Sequence, residues 1–465
     1  MDMLDVFQPL PELLVQLRNR FYQASSWPEL SVLSLVRPLM ACVAIYLVLL
    51  HKTSALTTFP GPGPWPIVRF GNMPIIVVNS ATAAKEILTS SAAALSSRPI
   101  FHTFHQFIAG TLGPTIGTAV YGNALKRGRE ATAAELSKPA VKANLDKINL
   151  ETRHLIHELL IYGSEGRSPL LVSPLVKRLA LNLSVSICYG RRMYLGNPLT
   201  QEIISVEHKI LKLRSMTDNA QDFLAPAARL ATQQKLPRAG RGPARAARVA
   251  TESNMIHWGL VLLATRPDVQ ETALLHIREA YPDVAKVFGE PLRDTEDIPY
   301  ISALVREILR FYTPSRLALP RLTVQPIVYQ DKIIPDGNTV VLNTFACNRE
   351  PKLFRDPDTF RPERWLEDPD QAIFSYGLGY RMCAGYTLAN HVLYALFVRL
   401  IAAFAVSAEP GVDADPITGC ESAGHQAMAR RPTGLYFKPR EATLLRAALA
   451  RDVHCQIVRY RDCEI

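Results

Sequence analysis

The sequence predicts a mostly α, α+β fold: a helix-rich body with a small β-sheet region, behind an N-terminal membrane anchor. Three observations carry that prediction. Apolar residues recur at helical spacing along most of the chain. Strand patterns are confined to short stretches near 75–78 and 327–342. One long apolar run stands near the N-terminus, and the mean hydropathy of +0.05 is high for a purely soluble chain. With 465 residues, 48% of them hydrophobic and 20% charged, the chain can bury a sizeable core, which excludes a largely disordered protein.

The anchor is predicted over about 31–50, within an N-terminal segment of residues 1–58. Reaching the ~20 residues that a bilayer needs takes in Arg37, which can snorkel to the headgroups. Residues 59–70 follow as a hinge. Its prolines from Pro60 to Pro66 fix φ and stiffen the connection to the body. The catalytic domain is expected over 71–440 and a C-terminal tail over 441–465. Within the domain, Ile75–Val78 reads as a buried strand and Ala81–Leu88 as a helix. Helices are expected over Val141–Tyr162, about Leu170–Cys188, Pro267–Tyr281 and Asp297–Phe311. Short strands fill Ile327–Leu342 around a Pro335-Asp336-Gly337-Asn338 turn, and a last long helix runs from about Ala384 to Phe404.

The net charge of +10 favours anionic surroundings. The most basic stretch, Lys235–Arg248, has no interleaved aromatic residues, so no nucleic-acid partner is expected. Seven cysteines, scattered from Cys42 to Cys463, make no disulfide framework and suit an intracellular, reducing compartment.

Chemistry concentrates in Phe374-Ser-Tyr376-Gly377-Leu-Gly379-Tyr-Arg381-Met-Cys383-Ala-Gly385, just ahead of an apolar helix. A cysteine at a helix mouth feels the positive end of the dipole, which favours thiolate. Glycines around it let the backbone fold its amides toward the sulfur. Arg381 can pair with an anionic group beside a metal. Such a thiolate suits axial ligation of haem iron, where it pushes electron density toward O–O cleavage. Two further motifs follow the same order. Glu307 and Arg310 sit three apart on one helical face, where the guanidinium fork can lock the helix to a nearby loop, and Phe360-Arg361-Pro362-Glu363-Arg364-Trp365 stands further along the chain.

Together these stretches resemble the cytochrome P450 superfamily, over about residues 60–440. The loop matches its Phe-Gly-x-Gly-x-Arg-x-Cys-x-Gly pattern except that Tyr376 stands for the phenylalanine. The resemblance implies that Cys383 ligates the iron of haem b, with Tyr376, Gly377, Gly379, Arg381 and Gly385 forming its loop. It implies that Glu307, Arg310 and Arg364 form a buried supporting triad, and that Arg321 and Arg129 bind haem propionates. Leu125 stands where the family often has tryptophan. Thr115-Ile-Gly-Thr118, Leu125-Lys-Arg-Gly-Arg129, Ser137-Lys-Pro139-Ala-Val141 and Tyr376–Asn390 look most like fungal microsomal phenylacetate and methylphenol hydroxylases. The implied activity is hydroxylation of a small aromatic or polyketide-derived substrate in fungal secondary metabolism. Electrons would come from NADPH through NADPH-cytochrome P450 reductase. The implied setting is the endoplasmic reticulum, single-pass, with the catalytic domain cytosolic.

The chain departs from the family at two places. Thr251 takes the position of the oxygen-activating threonine, but Ala250 stands where an acid is usual and Arg248 where a glycine is usual. The family also places a helix and the first strands of a sheet between Phe70 and Gly71. Three accounts compete: a mispredicted gene, a decayed haem-binding protein, or a haem-thiolate isomerase or dehydratase that needs no oxygen. Met216, Phe223, Leu317 and Leu319 are candidate pocket residues.

Overall fold

The computed structural model describes residues 67–70, 73–101, 105, 113, 115–212, 249–283, 285–289, 296–421 and 427–450. They all lie in one unit, Pro60–Ile465, distinct from Met1–Phe59. The expected anchor, the prolines of the hinge, Lys235–Arg248, Met216, Phe223, Cys455 and Cys463 lie outside the described residues.

Strand β1 (Ile67–Phe70) pairs antiparallel with β2 (Met73–Val78), with Phe70 opposite Met73. A first strand is thus present just before Phe70, but only two residues separate it from β2, which leaves no length there for the helix the family resemblance implies. Helix α1 (Ala81–Lys85) is capped by the Ser80 hydroxyl and runs into a π turn, Glu86–Ser90, so the expected single helix changes pitch after five residues. Helices α2 (Asn123–Glu135), α3 (Lys138–Ala143) and α4 (Leu145–Tyr162) follow. The helix expected from Val141 is thus two, because the Asn144 amide bonds back to the Ala140 carbonyl at 2.8 Å and ends α3.

A short strand β3 (Leu170–Leu171) takes the start of the next expected helix, and α5 (Ser173–Tyr189) begins only after it, with Pro174 in its first turn. Then come α6 (Pro198–Lys212), α7 (Val249–Thr265), α8 (Pro267–Ala280), α9 (Ala285–Gly289) and α10 (Pro299–Tyr312). Strands β4 (Arg321–Leu322), β5 (Ile327–Tyr329), β6 (Lys332–Ile334) and β7 (Thr339–Leu342) precede short helices α11 (Thr344–Cys347) and α12 (Arg364–Glu367). Gly337, at φ 74°, makes the expected turn before β7. Helix α13 (Tyr386–Ala403) leads into β8 (Phe404–Ala408), which pairs with β9 (Gly434–Pro439).

The first sheet has the order β1-β2-β7-β4, with β2 and β7 parallel. Three small sheets among the described residues and a mass of helix make the α-rich α+β body that the periodicities predict. The core lies between α4, α5, α7, α8, α10 and α13, through Leu155, Trp258, Ile301, Leu304, Phe397 and Leu400, all essentially without exposure. Burying each such side chain is worth about 1.5–3 kcal/mol. Gly259 marks the tightest crossing: a Cβ there would fall 2.3 Å from the Phe397 ring and 3.1 Å from Ile308 Cδ1. Helix α13 is long and apolar enough to cross a membrane, but 72% of that window is buried in the protein, as befits a core helix. Residues 442–450 are helical and send Leu445 and Leu449 into the core.

Candidate active site

Cys383 lies three residues ahead of α13, in a loop shaped by two left-handed glycines, Gly377 (φ 72°) and Gly379 (φ 60°). Gly379 has no alternative, since a Cβ would fall 2.0 Å from the Leu88 carbonyl oxygen. The Cys383 amide donates to the Tyr376 carbonyl at 2.9 Å, closing the loop. Its side chain is exposed, whereas Cys347 and Cys420 are buried. Gly385 caps α13, and a Cβ on it would sit 3.9 Å from the Cys383 sulfur. The Tyr376 hydroxyl donates to Asn390 Oδ1 at 2.6 Å. Burial, then the Cys383 and Glu252 charges, push its pKa up.

Arginines gather beside this loop. Arg381 donates to three carbonyls: Ser96 at 2.7 Å, Ile116 at 3.1 Å and Ala119 at 2.6 Å. Arg321 donates from Nη2 to the Leu378 carbonyl at 2.6 Å, while its Nη1 is buried with no hydrogen-bond partner. Arg129 reaches the Met382 carbonyl at 3.3 Å and stacks on the Tyr380 ring. Burial, then the Arg381 and Arg129 charges, lower the Arg321 pKa to about 10; burial, then Arg129, lower that of Arg381 to about 10. No carboxylate is among the causes. Buried cations that destabilise one another call for an anion.

Arg98 belongs to the same cluster and was missed in the sequence. It donates to the Gly117, Leu319 and Pro320 carbonyls, the last directly before Arg321. Lone in Ser97-Arg98-Pro99, it carries no spacing signal; only the fold brings it to Pro320.

On the far side, Glu307 is fully buried between Arg310 and Arg364. It accepts from Arg310 Nε at 2.8 Å and Nη2 at 2.7 Å, from Arg364 Nε at 3.1 Å, from the Arg361 amide at 2.9 Å and from Trp365 Nε1 at 2.9 Å. The arginines spend their other donors on carbonyls of 348–359, so the network ties α10 to the segment leading into the cysteine loop. Thr251 is exposed in the first turn of the described part of α7, and Leu317 is 43% exposed.

The residues fit a haem. One exposed thiol can serve as an axial ligand, and an orphaned guanidinium nitrogen in a cationic cluster can take its carboxylates.

Comparison with known proteins bears on the same residues. The Cytochrome P450 family model matches residues 51–239 and 245–434. A 3-hydroxyphenylacetate 6-hydroxylase of Emericella nidulans is 35% identical over 444 residues, covering 83% of this chain and 85% of the relative. A phenylacetate 2-hydroxylase of the same organism is 29% identical, covering 86% and 88%. A cytochrome P450 monooxygenase of Mycosarcoma maydis is 26% identical, covering 82% and 87%. A family match along most of the chain, a cysteine loop of the family's pattern and a cationic cluster beside it agree: the chain belongs to the cytochrome P450 family, oxygen-incorporating oxidoreductases that carry haem with thiolate-ligated iron.

Proposed function

We propose that this P450 hydroxylates a small aromatic acid or phenol, using O2 and electrons passed from NADPH by a flavin reductase. The observation that carries the reading is the exposed Cys383 thiol in its glycine loop, beside Arg321, whose Nη1 is buried without a hydrogen-bond partner among the described residues. The relatives named for phenylacetate substrates support the substrate class. Haem b, when bound, would supply oxygen activation, with the thiolate ligand donating electron density to the iron.

Cys383 is the iron ligand, and the bond from its amide to Tyr376 keeps the loop closed around the sulfur. Arg321 and Arg129 take the propionates, with Arg98 beside them. Arg381 binds the loop to the backbone of 96–119. Glu307, Arg310 and Arg364 hold the approach to the loop rigid. Thr251 would assist protonation of oxygen if its helix is intact; a positioned acid–base group of this kind is commonly worth ~10²–10⁴-fold. The basic chain suits an acidic reductase surface, and the run 31–50 anchors it to the endoplasmic reticulum with the body cytosolic.

The test is turnover of 3-hydroxyphenylacetate and phenylacetate by the full chain with reductase, NADPH and isotopically labelled oxygen. One labelled oxygen in a ring-hydroxylated product supports the reading. Haem-loaded protein that oxidises neither compound overturns the substrate class. Turnover that persists without oxygen would favour the isomerase or dehydratase alternative, for which Ala250 in place of an acid is the motivating feature.

A further inference from the structure

Asn348 caps the end of α11 and is fully buried. A buried amide is costly unless its polar groups are matched, and these are. Oδ1 accepts from the Phe374 amide at 2.9 Å. Nδ2 donates to Ser375 Oγ at 2.9 Å and to Thr313 Oγ1 at 3.1 Å. A backbone N–H only donates, so it fixes which end of the side chain faces Phe374. Both hydroxyls have given their own protons to α10 carbonyls, Ser375 to Leu309 at 2.6 Å and Thr313 to Arg310 at 2.7 Å. They offer only lone pairs, so the group between them must donate twice while accepting from Phe374. Asparagine meets that demand; aspartate and leucine do not. The Asn348 carbonyl also accepts from Arg310 Nη1 at 3.0 Å, which joins it to the Glu307 network.

We propose that Asn348 is a positioning residue for the thiolate: it fixes where the cysteine loop starts relative to α10, and so where Cys383 stands. The inference rests on the reading of Cys383 as the haem ligand. Asn348 meets Phe374 across 26 residues of chain, so the bond is a tertiary tie and not part of a local turn. From Phe374 the order passes along the loop in two steps. The Phe374 carbonyl accepts from the Gly377 amide at 2.8 Å, and the Tyr376 carbonyl accepts from the Cys383 amide at 2.9 Å. Without the Asn348 amide the loop keeps these inner bonds and its glycines. It loses the tie that holds Phe374 and Ser375 against the last turn of α10, and the Phe374 amide is left buried without an acceptor.

The experiment compares the full, haem-loaded wild type with Asn348→Leu, Ser375→Ala and Gln270→Met. Gln270 is the control, a buried amide that bonds the Leu263 and Val406 backbone and makes none of the contacts above. Two readouts are taken in urea well below each protein's unfolding midpoint. One is the Soret band of the reduced carbon monoxide complex, the other hydrogen exchange of the peptide spanning 374–383. Asn348→Leu should keep haem but lose the thiolate-type band from much of its carbon monoxide complex, with loop amides exchanging about tenfold faster. Ser375→Ala should move both readouts the same way and less. Gln270→Met should move neither, although its urea midpoint also falls. If Asn348→Leu takes up no haem, the same two readouts in Ser375→Ala decide. Wild-type band and exchange in the loop variants, or equal changes in Gln270→Met, overturn the inference and leave the Cys383 reading standing. A wild type without the thiolate-type band overturns that reading and the inference with it.

Discussion

Arg321 has an environment that is incomplete by itself, because a buried guanidinium nitrogen without a partner is a cost that an incoming acceptor removes. Arg321→Met should weaken haem binding by about 1.5–3 kcal/mol, roughly 10- to 160-fold. Haem transfer to an apo-globin acceptor measures it, and unchanged retention would take Arg321 out of the site. Glu307 shows the opposite condition, every oxygen lone pair engaged by buried donors. Glu307→Ala leaves two arginines buried without their anion and should cost about 3–5 kcal/mol, read as a lowered urea midpoint. His257 supplies the pH dependence. Burial, then the Arg430 and Lys177 charges, lower its pKa from 6.5 to about 3. The unfolded chain therefore binds a proton below about pH 6.5 that the native protein refuses. Stability falls with pH from there, by about 2 kcal/mol at pH 5 from this residue. His257→Leu should flatten that part of the acid limb in unfolding curves; an identical slope would contradict the assignment. The cysteine loop and the Glu307–Arg310 pair were legible as residue spacing because each is set within a few residues of chain, whereas Arg364 joins the pair from 57 residues away. Arg98 and Arg321's orphaned nitrogen were not, since Arg98 meets Pro320 from 222 residues away and Arg321 is buried against a loop 57 residues further on.

At the scale of elements, helices announced themselves where apolar residues keep helical spacing over several turns, as in α10 and α13. What periodicity could not locate were the breaks. Asn144 ends α3 through its own side chain, and β3 forms at Leu170–Leu171 only because β9 offers a partner there. Strand β1 was hidden for the same reason, four residues whose pairing with β2 no local pattern reveals. The hairpin joining β5 and β6 carries a local conflict: Gln330 and Asp331 both adopt positive φ, at 48° and 60°. Such turns favour glycine at the second position. Asp331→Gly should raise stability by about 1 kcal/mol, seen as a higher denaturant midpoint, and a lower midpoint would mean that the Asp331 side chain earns its place by contacts.

For the molecule as a whole, helical periodicity foretold a helix-rich body, and the fold agrees. The membrane assignment hangs on the run 31–50, since the apolar helix α13 is spent on the core. A chain lacking residues 1–58 should leave the membrane pellet while the full chain stays in it; both sedimenting alike would transfer membrane attachment to the body. The claim on which the rest depends is that this fold closes around a haem ligated by Cys383. The reduced carbon monoxide difference spectrum of the full chain, compared with Cys383→Ala, tests it most directly. The account predicts the red-shifted Soret band of a thiolate-ligated haem in the wild type and its loss in the variant. The same band in both, or none in a wild type present in the membrane, would contradict it.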